Sequence, residues 1–135
     1  MILTDAGPIL ALIDINEAKH EACRLVLPRL AKPMVVPWPC YVEAMYLLGR
    51  ELDYPGQTAL WRLRSSGQLM IHENSPSEVD RMELLMGQYR DTPMDLADAS
   101  LVVAAETLGM RRVFTLDRHF YAYRLADGSA SEVVP

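Results

Sequence analysis

Five short apolar runs, at 1–4, 34–36, 69–71, 113–116 and 133–134, punctuate a chain that otherwise carries helical patterns, and this alternation restricts the fold more than any other feature. None of the runs alternates strictly between apolar and polar residues, so each suits a strand covered on both faces. Helical spacing fills the intervals at about 8–14, 16–31, 39–50, 55–66, 76–90 and 94–108. Strands separated by helices imply a parallel α/β sheet, because a parallel pair needs a crossover long enough to hold a helix. Ser75-Pro76-Ser77-Glu78 has the form of a capping box with proline at the first helical position, and Thr92-Pro93-Met94-Asp95 reads similarly. Gly109 closes the helix that begins there. The stretch Asp127-Gly128-Ser129-Ala130-Ser131 reads as a loose turn, which puts the end of the core near Tyr123.

A chain of 135 residues suits one domain, 1–135, that buries a core without disulfides or structural metal. The apolar share of 50% and charged share of 23% exclude a disordered or fibrous polymer. The net charge of −5 argues against binding nucleic acid through overall positive charge, so local groups must make any such contact. Cys23 and Cys40 form no C-x-x-C pair, and His20, His72 and His119 lack metal-binding spacing. The stretch 1–12 is apolar but carries Asp5, has no basic start and is too short to span a membrane, so a cytoplasmic protein is expected. Leu25, Leu30, Leu47, Leu60 and Trp61 are expected to offer more apolar helix surface than one domain covers.

Chemistry concentrates in the acids. Asp5 directly follows the first strand and Asp117 the fourth, at the strand ends where open α/β sheets place ligands; each is equally readable as the N-cap of the next helix. Glu43 stands in an apolar helical stretch, 38–48, where an unpaired buried acid is costly, and its structural alternative is a bridge to Arg50 or Lys32. Asp95 and Asp98 lie three apart, on one face of a helix. Asp95 has a structural role available as the capping acid answering Thr92; Asp98 has none and is the stronger candidate. Carboxylates brought together repel unless a cation joins them, and an all-oxygen ligand set suits Mg²⁺ or Mn²⁺. Such an ion fits phosphodiester hydrolysis.

The segments 2–12, Val42-Glu43, Asp95-Leu96-Ala97-Asp98-Ala99 and Thr115-Leu116-Asp117-Arg118-His119-Phe120 resemble, in order, the four acidic motifs of PIN-domain nucleases, and VapC-type toxins most of all. The resemblance covers nearly the whole chain. It implies a PIN-like three-layer α/β/α sandwich with a central parallel sheet of about five strands in the order 3-2-1-4-5. It implies a metal-dependent endoribonuclease that binds Mg²⁺ or Mn²⁺ through Asp5, Glu43, Asp98 and Asp117, with Thr115 and Asp95 in support. It further implies a homodimer, an RNA substrate and a cognate antitoxin whose C-terminal segment covers the site. Arg118 and His119 are placed for RNA phosphates, as are Arg111 and Arg112 unless these are merely surface charges. One departure from the family pattern is Gly7, where many members carry serine or threonine.

Two rival readings remain. A catalytically idle PIN-like module that binds RNA or protein is opposed by the intact acid set. An aspartate-based phosphatase of the dehalogenase kind needs a second acid two residues after Asp5, where Gly7 stands. The absence of a G-x-G-x-x-G after the first strand excludes a dinucleotide-binding site.

Overall fold

The computed structural model describes residues 1–135. Strands β1 (Ile2–Thr4), β2 (Met34–Pro37), β3 (Leu69–His72), β4 (Arg112–Phe114) and β5 (Glu132–Val134) form one sheet, parallel throughout, in the order β3-β2-β1-β4-β5. Around it lie α1 (Ala6–Ile13), α2 (His20–Val26), α3 (Trp38–Ser65), α4 (Pro76–Gln88) and α5 (Leu96–Leu108). The central strand β1 is wholly buried, with Leu3 opposite Val35 on one side and Val113 on the other. This is the sheet order and layering expected from the sequence. No helix is long and apolar enough to cross a membrane.

The capping signals decide several boundaries. Ser75 and Glu78 form a reciprocal capping box with Pro76 next to the cap, and Gly109 ends α5 at a φ of 64°, in the left-handed region glycine enters freely. Elsewhere the structure differs from the sequence expectation. Helix α1 starts at Ala6 rather than near 8, because the Asp5 carboxylate caps it through the Ala6 amide. The expected helix 16–31 is shortened: Asp14 accepts the Asn16 amide in a turn, α2 begins only at His20, and 27–29 tighten into a 3-10 turn. Helix α5 begins at Leu96, since 92–95 lie outside it. Strand β4 stops at Phe114, so Thr115 and Leu116 belong to the loop that carries Asp117.

The helices expected at 39–50 and 55–66 are two legs of α3, broken at Asp53, whose φ is 57°. A straight helix would separate Met45 and Gln57 by about 18 Å. Instead the Gln57 side chain donates to the Met45 carbonyl at 3.5 Å, so the second leg folds back over the first. Gly56 permits this approach: a Cβ there would stand 2.9 Å from the Leu48 carbonyl oxygen.

The core also extends past Tyr123, because Val134 pairs with Phe114 and is buried. Leu30 and Leu60, expected among the uncovered apolar residues, lie in the core, whereas Leu25 and Trp61 are exposed and Leu47 is partly covered. Leu60→Ala should therefore cost about 2–5 kcal/mol in chemical denaturation, while Leu25→Ala should stay within about 0.5 kcal/mol of the parent. Equal costs would contradict this packing.

Candidate active site

Asp5, Glu43, Asp95, Asp98 and Asp117 line one cavity of about 310 Å³, together with Gly7 and Leu116. Four elements bring them there. The pairing of β1 with β4 sets Asp5 and Thr115 side by side, each one residue past its strand end, and the Asp5 amide continues the ladder to the Phe114 carbonyl at 2.9 Å. The first leg of α3 carries Glu43, and the first turn of α5 carries Asp98.

Asp5, Asp95, Asp98 and Asp117 are held by protein donors, whereas the Glu43 carboxylate accepts none. Ala6 N–H donates to Asp5 Oδ1 at 2.7 Å, and the Thr115 hydroxyl donates to Asp5 Oδ2 at 2.9 Å. The same hydroxyl accepts the Asp117 amide at 3.0 Å, so Thr115 links the first and last acids rather than serving the last alone. Asp117 caps the 3-10 turn at 118–121 through the His119 amide, and its Oδ1 also meets His119 Nδ1 at 2.8 Å. Both strand-end aspartates thus cap the next helical turn while facing the common cavity.

At α5 the expected roles are exchanged. Asp95 does not answer Thr92; it is the N-cap, accepting the Asp98 amide at 2.8 Å. Asp98 returns the bond by accepting the Asp95 amide at 3.0 Å, so it too has the structural role that sequence reasoning denied it. Tyr123 was missed as a neighbour of the site. Its buried hydroxyl donates to the Pro93 carbonyl and lies 3.5 Å from Asp98 Oδ2, and no local motif around Tyr123 signals that contact.

No lysine or arginine pairs with Asp5, Glu43, Asp95 or Asp98; Arg50, the suggested partner of Glu43, pairs with Glu51. The electrostatics follow. Burial raises the pKa of Asp5 and outweighs the donors from Ala6 and Thr115, with Asp95 and Asp117 repelling further. Burial, then Asp5 and Asp95, raises that of Glu43. Asp98 is pushed up to about 8, by burial first and by repulsion from Asp95 and Asp5, against the lowering effect of the Asp95 amide.

No three His, Cys, Asp or Glu side chains stand close enough around one point to enclose an ion. The donor chemistry nevertheless fits a hard divalent cation: all-oxygen ligands, partly dehydrated, with uncompensated negative charge. At Gly7 an added Cβ would meet Leu116 at an ordinary 3.6 Å, so the missing hydroxyl is not forced by crowding. Arg118 is exposed and has no acidic partner, whereas Arg111 and Arg112 pair with Asp127 and Glu132.

No family model matches the chain. It is 27% identical to Ribonuclease VapC26 of Mycobacterium tuberculosis over 135 residues, 99% of this chain and 100% of that protein. The crystal structure of Mycobacterium tuberculosis VapC20, described as a sarcin-ricin loop cleaving toxin, superposes with a TM-score of 0.87 at 16% identity, covering all of both chains. A toxin–antitoxin complex from Klebsiella pneumoniae gives 0.71 at 17% identity, covering 100% of this chain and 97% of that one. The resemblance read from the sequence is thus borne out, and the fold is the PIN-like α/β/α fold of VapC structures.

The Asp98 shift has a consequence for stability. A folded-state pKa above the unfolded one adds stability that is complete at low pH and is lost as pH rises through the folded value. In chelator the melting temperature should fall as the pH is raised from the ordinary carboxylate range to about 8. Asp98→Asn, which keeps an oxygen for the Asp95 amide, should flatten that slope; an unchanged slope would contradict the repulsion described.

Proposed function

We propose that residues 1–135 act as one metal-dependent endoribonuclease domain, the toxin of a VapBC-type toxin–antitoxin pair, working in the cytoplasm. The observation that carries this reading is the single cavity lined by five carboxylates at the C-terminal ends of β1 and β4. The relative named as a ribonuclease and the fold shared with a sarcin-ricin loop cleaving toxin support RNA as the substrate.

Asp5, Glu43, Asp98 and Asp117 would hold Mg²⁺ or Mn²⁺. When bound, such an ion lowers the pKa of water and offsets the negative charge that grows on the phosphate. The chain's own residues do the rest. Thr115 fixes the rotation of the Asp5 carboxylate, and the Asp95 amide fixes that of Asp98. Positive charge in the cavity would favour the ionised form of Asp98. Arg118 is free to meet a phosphate; His119 is drawn to Asp117 and assists by setting that acid's position.

The neighbouring toxin–antitoxin complex supports an antitoxin partner. Covering by antitoxin, or by a second copy in a homodimer, also suits exposed apolar residues such as Ile15, Leu25, Val42 and Tyr46.

Asn caps a helix about as well as Asp but brings no charge to a metal site. Asp5→Asn and Asp98→Asn should therefore keep their melting temperature in chelator, or raise it, while losing RNA cleavage by at least about 100-fold in Mg²⁺ or Mn²⁺. Chelator should abolish cleavage by the parent. Wild-type rates in both variants would sink the assignment, and a folded parent that cuts no RNA with either ion would favour the idle module.

A further inference from the structure

The two tryptophans of the chain, Trp38 and Trp61, stand together on a groove of about 900 Å³ beside the edge strand β3, separate from the acidic cavity and carrying one acid of its own, Glu73. Both are about half exposed, at 46% and 47%, which is a large indole area for a chain with only two. Tyr41 sits between them. Its ring stacks on one face of Trp38, the planes 8° apart and the centroids 5.7 Å apart, and Trp61 tilts across it at 5.5 Å. The Tyr41 hydroxyl is buried without a hydrogen-bond partner, a cost that packing for stability alone would avoid. Arg64 lines the same groove; it and Arg62 are exposed and have no acidic partner.

A second hollow lies between the groove and the acids. Trp38 borders a second, apolar hollow of about 450 Å³ together with Leu96, and Leu96 adjoins Asp95 at the cavity. Trp38 and Glu43 lie on one helical leg, about 7.5 Å apart along its axis and about 140° apart around it, so the leg presents them to neighbouring hollows rather than to one. Strand β3, at the groove, is two places from β1 in the sheet, a lateral distance of roughly 10 Å. That spacing is one to two nucleotides of an extended strand.

We propose that Trp38 and Trp61 form a stacking platform for unpaired bases of single-stranded RNA, with Arg64 meeting the phosphate between them, so that the strand runs along the sheet edge into the acidic cavity. Exposed indole faces beside unpaired arginines suit single-stranded nucleic acid, since every base has a face to stack. The RNA class rests on the function proposed above, but binding at the platform does not need cleavage.

Because both tryptophans lie in the groove, tryptophan emission excited beyond the tyrosine absorption band reports on it. The full chain in excess chelator is titrated with a labelled single-stranded oligoadenylate of about twelve nucleotides, following anisotropy and tryptophan quenching together. The single strand should bind with quenching, and a duplex of the same length more weakly. Trp61→Ala and Trp38→Ala should each weaken binding by roughly 5- to 150-fold, as for loss of one stacked base, with Trp61→Phe largely retaining it. Arg64→Ala should lower the salt slope by about 0.7. If Trp38→Ala fails to fold, Trp61→Ala and Trp61→Phe decide the matter. Wild-type affinity in Trp61→Ala and Arg64→Ala overturns the proposal. So does a Trp61→Ala protein that binds RNA normally but changes its mass in light scattering, for the groove is then a protein interface. Cleavage is scored separately with Mg²⁺ or Mn²⁺, so a protein that binds through its tryptophans yet cuts nothing sinks the nuclease reading alone.

Discussion

Carboxylates crowded into one cavity, with no lysine or arginine to answer them, repel one another, and much of this structure holds them there against that repulsion. The β1–β4 pairing is the firmest restraint, because it sets Asp5 beside Thr115 and spans 110 residues of sequence with a buried hydrogen bond. The capping box of α5 is the second: the bonds that start the helix also turn Asp98 into the cavity. Capping and charge gathering are the same contacts here. A helix start tolerates an acid well because the first-turn amides and the helix dipole favour negative charge. Those amides lower the pKa of Asp5 and Asp98 without overcoming burial, so both stay above the ordinary carboxylate range.

The sheet supplies the place. In a parallel sheet the strand C-terminal ends share one edge, and the loops leaving β1, β2, β3 and β4 all emerge there. From that edge the first leg of α3 starts, with Trp38 at its head and Glu43 a little over one turn on. Its second leg folds back at Asp53 and returns Trp61 towards Tyr41. The break in α3 is thus what brings the second indole to the same edge as the acids.

Strand positions, sheet order and the four acids were legible in the sequence because they depend on local patterns and an ordered set of motifs. Fully buried strands read as apolar runs, and the capping signals at Ser75 and Gly109 needed no tertiary information. What the sequence withheld were choices made by long-range contacts. Thr92 and Asp95 can each cap a helix; the chain starts α5 after Asp95, where Asp98 can close the box. The reversal in α3 turns on Asp53, Pro55 and the close approach of Gly56 to Leu48, which no helical periodicity reveals. Leu30 and Leu60 continue amphipathic patterns that look much like those of Leu25 and Trp61, and only packing separates core from surface. Tyr123 reaches Asp98 from 25 residues away with no motif of its own.

The central claim is that the gathered acids exist to hold a divalent cation. Its most direct measurement is an anomalous difference map from crystals grown with manganese and collected at its absorption edge. The account predicts a peak within the cavity bounded by Asp5, Glu43, Asp98 and Asp117, lost in Asp98→Asn crystals grown alike. A cavity without manganese in the parent crystals, or a peak that persists undiminished in Asp98→Asn, would contradict it.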